Sequence, residues 1–420
     1  MQAQAGVVRG QPLVSDRSIV ALAVLNFFLA DARDGLGPFL DAFLATNGWS
    51  PFSLGLIATV GGLIGLAVTP LCGAIVDGTT WKRALIAGAV VIVTAAALVT
   101  LVFPNPVMVW SGQIGTAVVG AIVGPALAGL TLGLVGERLF SHQIARNEFW
   151  NHGGNVASLV AIYVAVSMFG EPGVIGLMLF TAVGSIAAIA FIDPNRIDHK
   201  VARGLAQDSG EPGPSGLKVL FETRGLILLG IIMLAFHFAN APMSRLIAQQ
   251  FSLELGTPFR TTAIITGVSQ MAMICVAAAA PFLIARLGLG AVMLIALLAL
   301  PVRGLLAGSF DGFWVVYPVQ FLDGIGAGLL GIVTPVAAER LLAGTGRFNV
   351  GFAAVMMVQG IGASLSNIVA GWLVTNWSYA VSHYVGGAIA VAAIVIFAMF
   401  RNDVIRDSAD SKSPTRPQAA

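Results

Sequence analysis

Charge is what this 420-residue sequence has least of. Only 10% of its residues are Asp, Glu, Lys or Arg, against about 25% in soluble domains. A water-soluble fold could not cover the 57% of residues that are hydrophobic with so few charges, so lipid must be the solvent for much of the surface. Cysteine is nearly absent. Cys72 and Cys275 sit in apolar runs without CxxC spacing, which excludes a disulfide framework and a thiolate metal site. The five histidines are scattered, with no HExxH pattern. No GxSxG, Walker-type or dinucleotide fingerprint stands in a strand-turn-helix context, so no metal or cofactor is expected. The net charge of +2 gives no reason to expect a nucleic-acid partner.

What is present is length of apolar run. Mean hydropathy is +0.89, and a spanning helix needs about 20 mostly apolar residues. Twelve such spans are expected, over residues 18–45, 52–76, 83–103, 107–136, 149–169, 173–192, 224–251, 261–285, 290–309, 313–337, 350–375 and 380–400. The first run begins near Ile19 and continues past the length of a signal-peptide core, so it is read as an uncleaved span. The breaks carry turn chemistry: Asn47-Gly48, Asp77-Gly78, Pro104-Asn105-Pro106, Glu171-Pro172-Gly173 and Asp311-Gly312. With the N-terminus inside, inner segments hold eighteen of the 22 basic residues and outer loops hold only Arg260. The remaining three, Arg33, Arg245 and Arg303, lie within spans. That bias places both termini in the cytoplasm and fits an even number of spans.

The longest break, 193–217, contains Ser209-Gly210-Glu211-Pro212-Gly213-Pro214-Ser215-Gly216, a flexible linker composition. It divides the chain into a cytoplasmic tail (1–17), a six-helix bundle (18–192), the cytoplasmic linker (193–217), a second six-helix bundle (218–400) and a disordered cytoplasmic tail (401–420). Lys218 to Arg224 is expected as a short interfacial helix. A local repeat supports the division. Glu137-Arg138-Leu139-Phe140 followed by Arg146-Asn147 is matched 202 residues on by Glu339-Arg340-Leu341-Leu342 followed by Arg347-Phe348-Asn349. Both stretches are expected at the inner ends of their helices, the fourth and the tenth. The fold class read from these features is all-α integral membrane, with twelve transmembrane helices in two pseudo-symmetric bundles, a layout that suits transport.

Particular stretches then resemble the major facilitator superfamily, over essentially the whole spanning length. They are Phe28-Leu29-Ala30-Asp31-Ala32-Arg33-Asp34-Gly35-Leu36-Gly37-Pro38, Phe236-His237-Phe238-Ala239-Asn240-Ala241, Leu300-Pro301-Val302-Arg303-Gly304-Leu305, Phe321-Leu322-Asp323-Gly324-Ile325-Gly326-Ala327-Gly328 and Gly344-Thr345-Gly346-Arg347-Phe348-Asn349. As a group they are similar to bacterial twelve-span members grouped with drug-efflux carriers. The superfamily's loop motif between the second and third spans is matched by Gly73-Ala74-Ile75-Val76-Asp77-Gly78-Thr79-Thr80-Trp81-Lys82-Arg83. There the resemblance gives Gly73, Asp77, Lys82 and Arg83 a conformational role, although the basic residue directly after the Asp is missing. The fourth span lacks the buried Arg of proton-coupled efflux members; Gln320 holds the analogous place in the tenth. The antiporter Gly-Pro pattern is absent from the fifth span.

Ionisable groups at membrane depth are costly and point to function. Asp31, Arg33, Asp34, Arg245, Arg303 and Asp323 are such groups, three of each sign. Asp31 and Asp34 lie about 60° apart on one helix face, with Asp41 extending it outward. Asp34, with Asp31, is the expected proton carrier; the alternative is a permanent structural Asp–Arg pair. Asp323 is either a second protonation site or the partner of Arg303 or Arg245. Arg33, Arg245 and Arg303 are expected at the substrate cavity, where the two last either clamp an anion or snorkel. His237 and Asn240 share a face, as do Gln359 and Asn367; these four line a cavity or bond between helices. Two functions follow: proton-coupled export of a small organic or amphipathic compound, or proton symport taking up a small organic anion. A sensor or an intramembrane enzyme finds no support in any motif. The expected partners are a small-molecule substrate, protons and the lipid bilayer. The expected form is a monomer, located in the bacterial cytoplasmic (inner) membrane.

Overall fold

The computed structural model describes residues 16–32, 37–199, 201–203, 221, 223–342 and 348–405. Its helices are α1 (Arg17–Ala32), α2 (Gly37–Thr46), α3 (Pro51–Gly78), α4 (Lys82–Val102), α5 (Pro106–Val135), α6 (Glu137–Phe169) and α7 (Glu171–Phe191). After the linker come α8 (Arg224–Leu255), α9 (Pro258–Leu287), α10 (Leu289–Ser309), α11 (Val316–Leu342), α12 (Phe348–Asn376), α13 (Tyr379–Met399) and the short α14 (Arg401–Val404). No strand occurs among the described residues. Eleven of these helices are long and apolar enough to cross a membrane. Over the first expected span the described residues form two shorter helices, α1 and α2, on either side of residues 33–36, which lie outside the described set.

Helix ends follow local chemistry. Asn105 caps α5, its side chain accepting from the Met108 amide at 3.1 Å ahead of Pro106 at the first helical position. Ser378 caps α13 by accepting from the Val381 amide at 3.2 Å. Gly136, at φ 73°, separates α5 from α6 with a backbone that side chains resist.

This break corrects one expectation. Glu137-Arg138-Leu139-Phe140 opens α6 and does not end the fourth span, whereas Glu339-Arg340-Leu341-Leu342 does end α11. The fifth helix therefore begins twelve residues before its expected span at 149, and the two copies of the repeat fall on different elements. The polar turns of α6 are held by side chains: Gln143 donates to Asn147 at 2.9 Å, and Asn147 to the Thr131 hydroxyl of α5 at 3.0 Å.

The chain forms two compact units, Met1–Leu36 with Val68–Ser209 and Gly37–Ala67 with Gly210–Ala420. In the first, Leu22, Leu25, Ile86, Val90, Leu130 and Ile189 build a buried core. Lys82 has no exposed surface. Its ammonium donates to the carbonyls of Val76 at 2.6 Å and Thr79 at 3.1 Å, at the C-terminal end of α3. Arg83 donates to the last-turn carbonyls of α7, Ile189 at 3.1 Å and Ala190 at 3.3 Å. Both cations thus donate to carbonyls at helix C-terminal ends, where the helix dipole is negative. The linker opens on this unit with two 3-10 turns, Pro194–Arg196 and Val201–Arg203. It is fastened there by an Arg196–Asp16 ion pair and by Ile197 and Ala202 packed on Gly133. The expected interfacial helix at 218–224 lies mostly outside the described residues.

In the second unit, Leu229, Phe236, Val292, Met293, Leu300 and Val319 belong to the core. The hairpin Gly37–Ala67 packs within it. Gly55, Thr59 and Gly62 of α3 recur on one helix face and meet a matching face of α12. A Cβ on Gly55 would stand 2.2 Å from the Asn367 carbonyl oxygen, and one on Gly371 would stand 2.3 Å from that of Pro51. The Thr59 hydroxyl donates to the Ser364 carbonyl at 2.7 Å. Small residues let backbones touch where lipid supplies no hydrophobic drive for association.

Candidate functional site

The second unit holds a buried polar network drawn from four helices. Pro242 and Pro301 lie inside α8 and α10 and supply no amide to the carbonyl four residues back. Asn240 and Ser244 bracket the first of them, and Arg303 follows the second. Arg303 has no exposed surface. Its Nη1 lies 2.9 Å from Asp323 Oδ1, on α11. Nη1 also donates to Asn240 Oδ1, and Nη2 donates to the Ser244 hydroxyl and, at 2.9 Å, to Gln320 Oε1. The carboxylate is held from its other side. Asn240 donates to Oδ1 at 3.1 Å, and the Ser269 hydroxyl of α9 donates to Oδ2 at 2.7 Å. A buried charge pair persists when hydrogen bonds satisfy its remaining lone pairs and protons, and this set does most of that. Arg303 Nε and Gln320 Nε2 have no partner among the described residues.

A second polar cluster joins α2 to α8. Arg245 Nε lies 3.5 Å from Asp41 Oδ2, and Arg245 Nη1 donates to the Leu54 carbonyl at 3.3 Å. Gln249, one turn further along α8, donates to the same Asp41 oxygen.

Of the residues singled out in the sequence, the structure brings together Asn240, Arg303 and Asp323. Arg245 stands apart from them, with Asp41. His237 is half-buried, its Nδ1 3.0 Å from the Met233 carbonyl of its own helix, and its ring packs edge-on to Phe236. Asn367 donates to the Ala363 carbonyl at 2.9 Å, a bond within α12. Gln359 is half-buried on the same helix. Arg33 and Asp34 lie outside the described residues; the backbone of Asp31 lies in the last turn of α1 and that of Asp77 in the last turn of α3, with neither side chain described. No described atom lies within 4 Å of where a Gly73 Cβ would stand. Ser244, Ser269 and Gln249 were not singled out, and Asp41 was named only as extending the Asp31–Asp34 face. Ser244 was within reach, being four residues after Asn240 and seven after His237 on one face. Ser269 carries no comparable signal.

The profile of the MFS_1-like family matches residues 19–385. The chain belongs to that family. An uncharacterised MFS-type transporter of Mycobacterium tuberculosis (strain ATCC 25618 / H37Rv) is 36% identical over 410 residues, covering 96% of this chain and 97% of the relative. Among solved structures, the nucleoside transporter NupG superposes with a TM-score of 0.72 at 16% identity, over 91% of this chain and 99% of that one. A bacterial homologue of the iron transporter ferroportin, in an inward-facing state, gives 0.66 at 17%, over 93% and 99%. At such identities these structures establish the MFS fold and leave substrate aside. This MFS member is an integral membrane protein and a transporter, not an enzyme. Its class of activity is secondary transport of small molecules.

Proposed function

We propose that this MFS member is a proton-coupled secondary transporter that exports a small organic or amphipathic compound by alternating access, as drug-efflux carriers do. It works as a monomer in the bacterial cytoplasmic membrane with both termini inside. Twelve crossings, α1 and α2 together making the first, form two six-helix bundles over 18–192 and 218–400. The observation that supports coupling is the Arg303–Asp323 pair, a titratable group closed against a fixed cation at membrane depth. Protonating Asp323 removes its charge and leaves Arg303 to the neutral acceptors Asn240, Gln320 and Ser244. The network then has two arrangements, and a substrate that prefers one is linked to the proton. Asp34, with Asp31, is the companion carrier in the first span. Arg33, His237, Asn240, Arg245, Gln359 and Asn367 are proposed around the cavity, and Gly73, Asp77, Lys82 and Arg83 in the loop motif that changes with the cycle.

Uptake of a small organic anion is the second reading. Arg303 and Arg245 favour it, as two intramembrane arginines that an anion would draw from their carboxylates. That both are already paired weighs toward export of a neutral or cationic compound. The test is reconstitution in oriented proteoliposomes, with compounds first selected by thermal stabilisation. Export predicts uphill flux against an inward proton gradient. Flux down that gradient together with anions would select uptake, and flux indifferent to any proton gradient would remove coupling.

A further inference from the structure

The hairpin Gly37–Ala67 lies in the second unit although the chain on both sides of it belongs to the first. Three kinds of contact seat it. Phe39 and Phe43 lie against Phe259 of α9, with ring centroids 6.5 and 5.8 Å apart. Gly55, Thr59 and Gly62 pack on α12 at backbone distance. Neither of these contacts contains a titratable group. The third does: Asp41 with Arg245 and Gln249 of α8. From α13, Tyr379 is within electrostatic reach of Asp41, Arg245 and Glu254. Phe259 is the aromatic that α9 presents to this hairpin, and it carries no charge.

The cluster is incompletely bonded. Among the described residues, Arg245 Nη2, Gln249 Oε1 and the Tyr379 hydroxyl are buried without a hydrogen-bond partner, and such groups weaken the state that buries them. The loss of the one charge opposite Arg245 weakens this seat further.

We infer that Asp41 is a proton-binding site whose ionisation decides whether the Gly37–Ala67 hairpin stays seated on α8, α9 and α12. The ionised carboxylate attracts Arg245 and accepts from Gln249. Protonation takes one proton from water, cancels the charge opposite Arg245, and leaves that guanidinium with the Leu54 carbonyl as its described acceptor. An unopposed buried cation is strongly unfavourable, so the protonated form favours release. The inference deepens the proton-coupled reading proposed above, and its test needs neither substrate nor gradient.

The experiment is a spin-label distance measurement on the full chain in lipid nanodiscs. Cys72 and Cys275 are replaced by Ser, and labels are placed at the exposed positions Asn47→Cys and Asn376→Cys. At pH 8 the short distance should dominate. At pH 5 the ratio of short to long should fall about tenfold or more. Asp41→Asn keeps an acceptor for Gln249 but cannot ionise, and should show the low ratio at both pH values. Arg245→Gln should also lose the response, whereas Asp41→Glu should retain it. Distances that ignore pH in the parent protein, or an Asp41→Asn variant with the full response, would overturn the inference. PH-driven flux with a pH-blind hairpin would overturn it while leaving the transport reading intact. A responsive hairpin without proton-driven flux would do the reverse.

Discussion

Replacing Asp323 by Ala strands Arg303. The guanidinium has no exposed surface, so water cannot take over from the carboxylate, and the donors of Ser269 and Asn240 lose their acceptor as well. Removing one partner of a buried pair costs about 3–5 kcal/mol. Here Asn240 Oδ1, Gln320 Oε1 and the Ser244 oxygen remain around Arg303, which places Asp323→Ala near the lower end, at about 3 kcal/mol. Arg303→Met leaves the Asp323 carboxyl with the donors of Asn240, Ser269 and Ser244, so about 2 kcal/mol is expected. The double variant Arg303→Met/Asp323→Ala leaves no buried charge. It should cost well under the sum, with a coupling energy of about 2 kcal/mol or more. The assay is reversible unfolding in bicelles by SDS titration, applied to all four proteins of the cycle. A coupling energy below about 0.5 kcal/mol would mean that the two side chains do not sense each other, and the account of the network would be wrong.

In proteoliposomes with an identified substrate, Asp34→Asn should abolish uphill pH-driven flux while downhill exchange persists; if Asp323→Asn alone does this, the proton carrier is in α11. Gly55→Ala forces a methyl group to 2.2 Å from a backbone oxygen that cannot rotate away, so thermal unfolding should show a loss of about 1–3 kcal/mol. Gly73→Ala, where no described atom lies within 4 Å, should be neutral or gain up to about 1 kcal/mol from helix propensity, read in the same melt. Lys82→Met removes both carbonyl bonds at the end of α3 and should cost about 2 kcal/mol, measured by chemical unfolding.

The crossings were legible because hydropathy reports what lipid requires. The apolar part of α6 is Phe149–Phe169, the span expected from the sequence. Its first twelve residues were missed because their helix is held by Gln143, Asn147 and Thr131 rather than by apolar length. At the site, three positive and three negative intramembrane groups announced pairing without saying which would meet. Arg303 and Asp323 are twenty residues apart on neighbouring helices, so Asp323 had two possible partners until packing chose one. Arg245 went to Asp41 because the hairpin carrying Asp41 packs against α8, a tertiary fact with no local trace. Ser269 is one hydroxyl in an apolar helix, and its role appears only once α9 and α11 are side by side.

The seating of the hairpin has a cost in time. Thr59 and Ser364 are 305 residues apart in the chain. At roughly 5–20 residues per second of synthesis, about 15–60 s separate the emergence of one from the other. Through that interval the glycine face of α3 is already made and its seat is not. A ribosome that stalls before α12 leaves Gly55 and Gly62 without the backbone they are shaped to meet, so one of the first helices made depends for its final packing on one of the last.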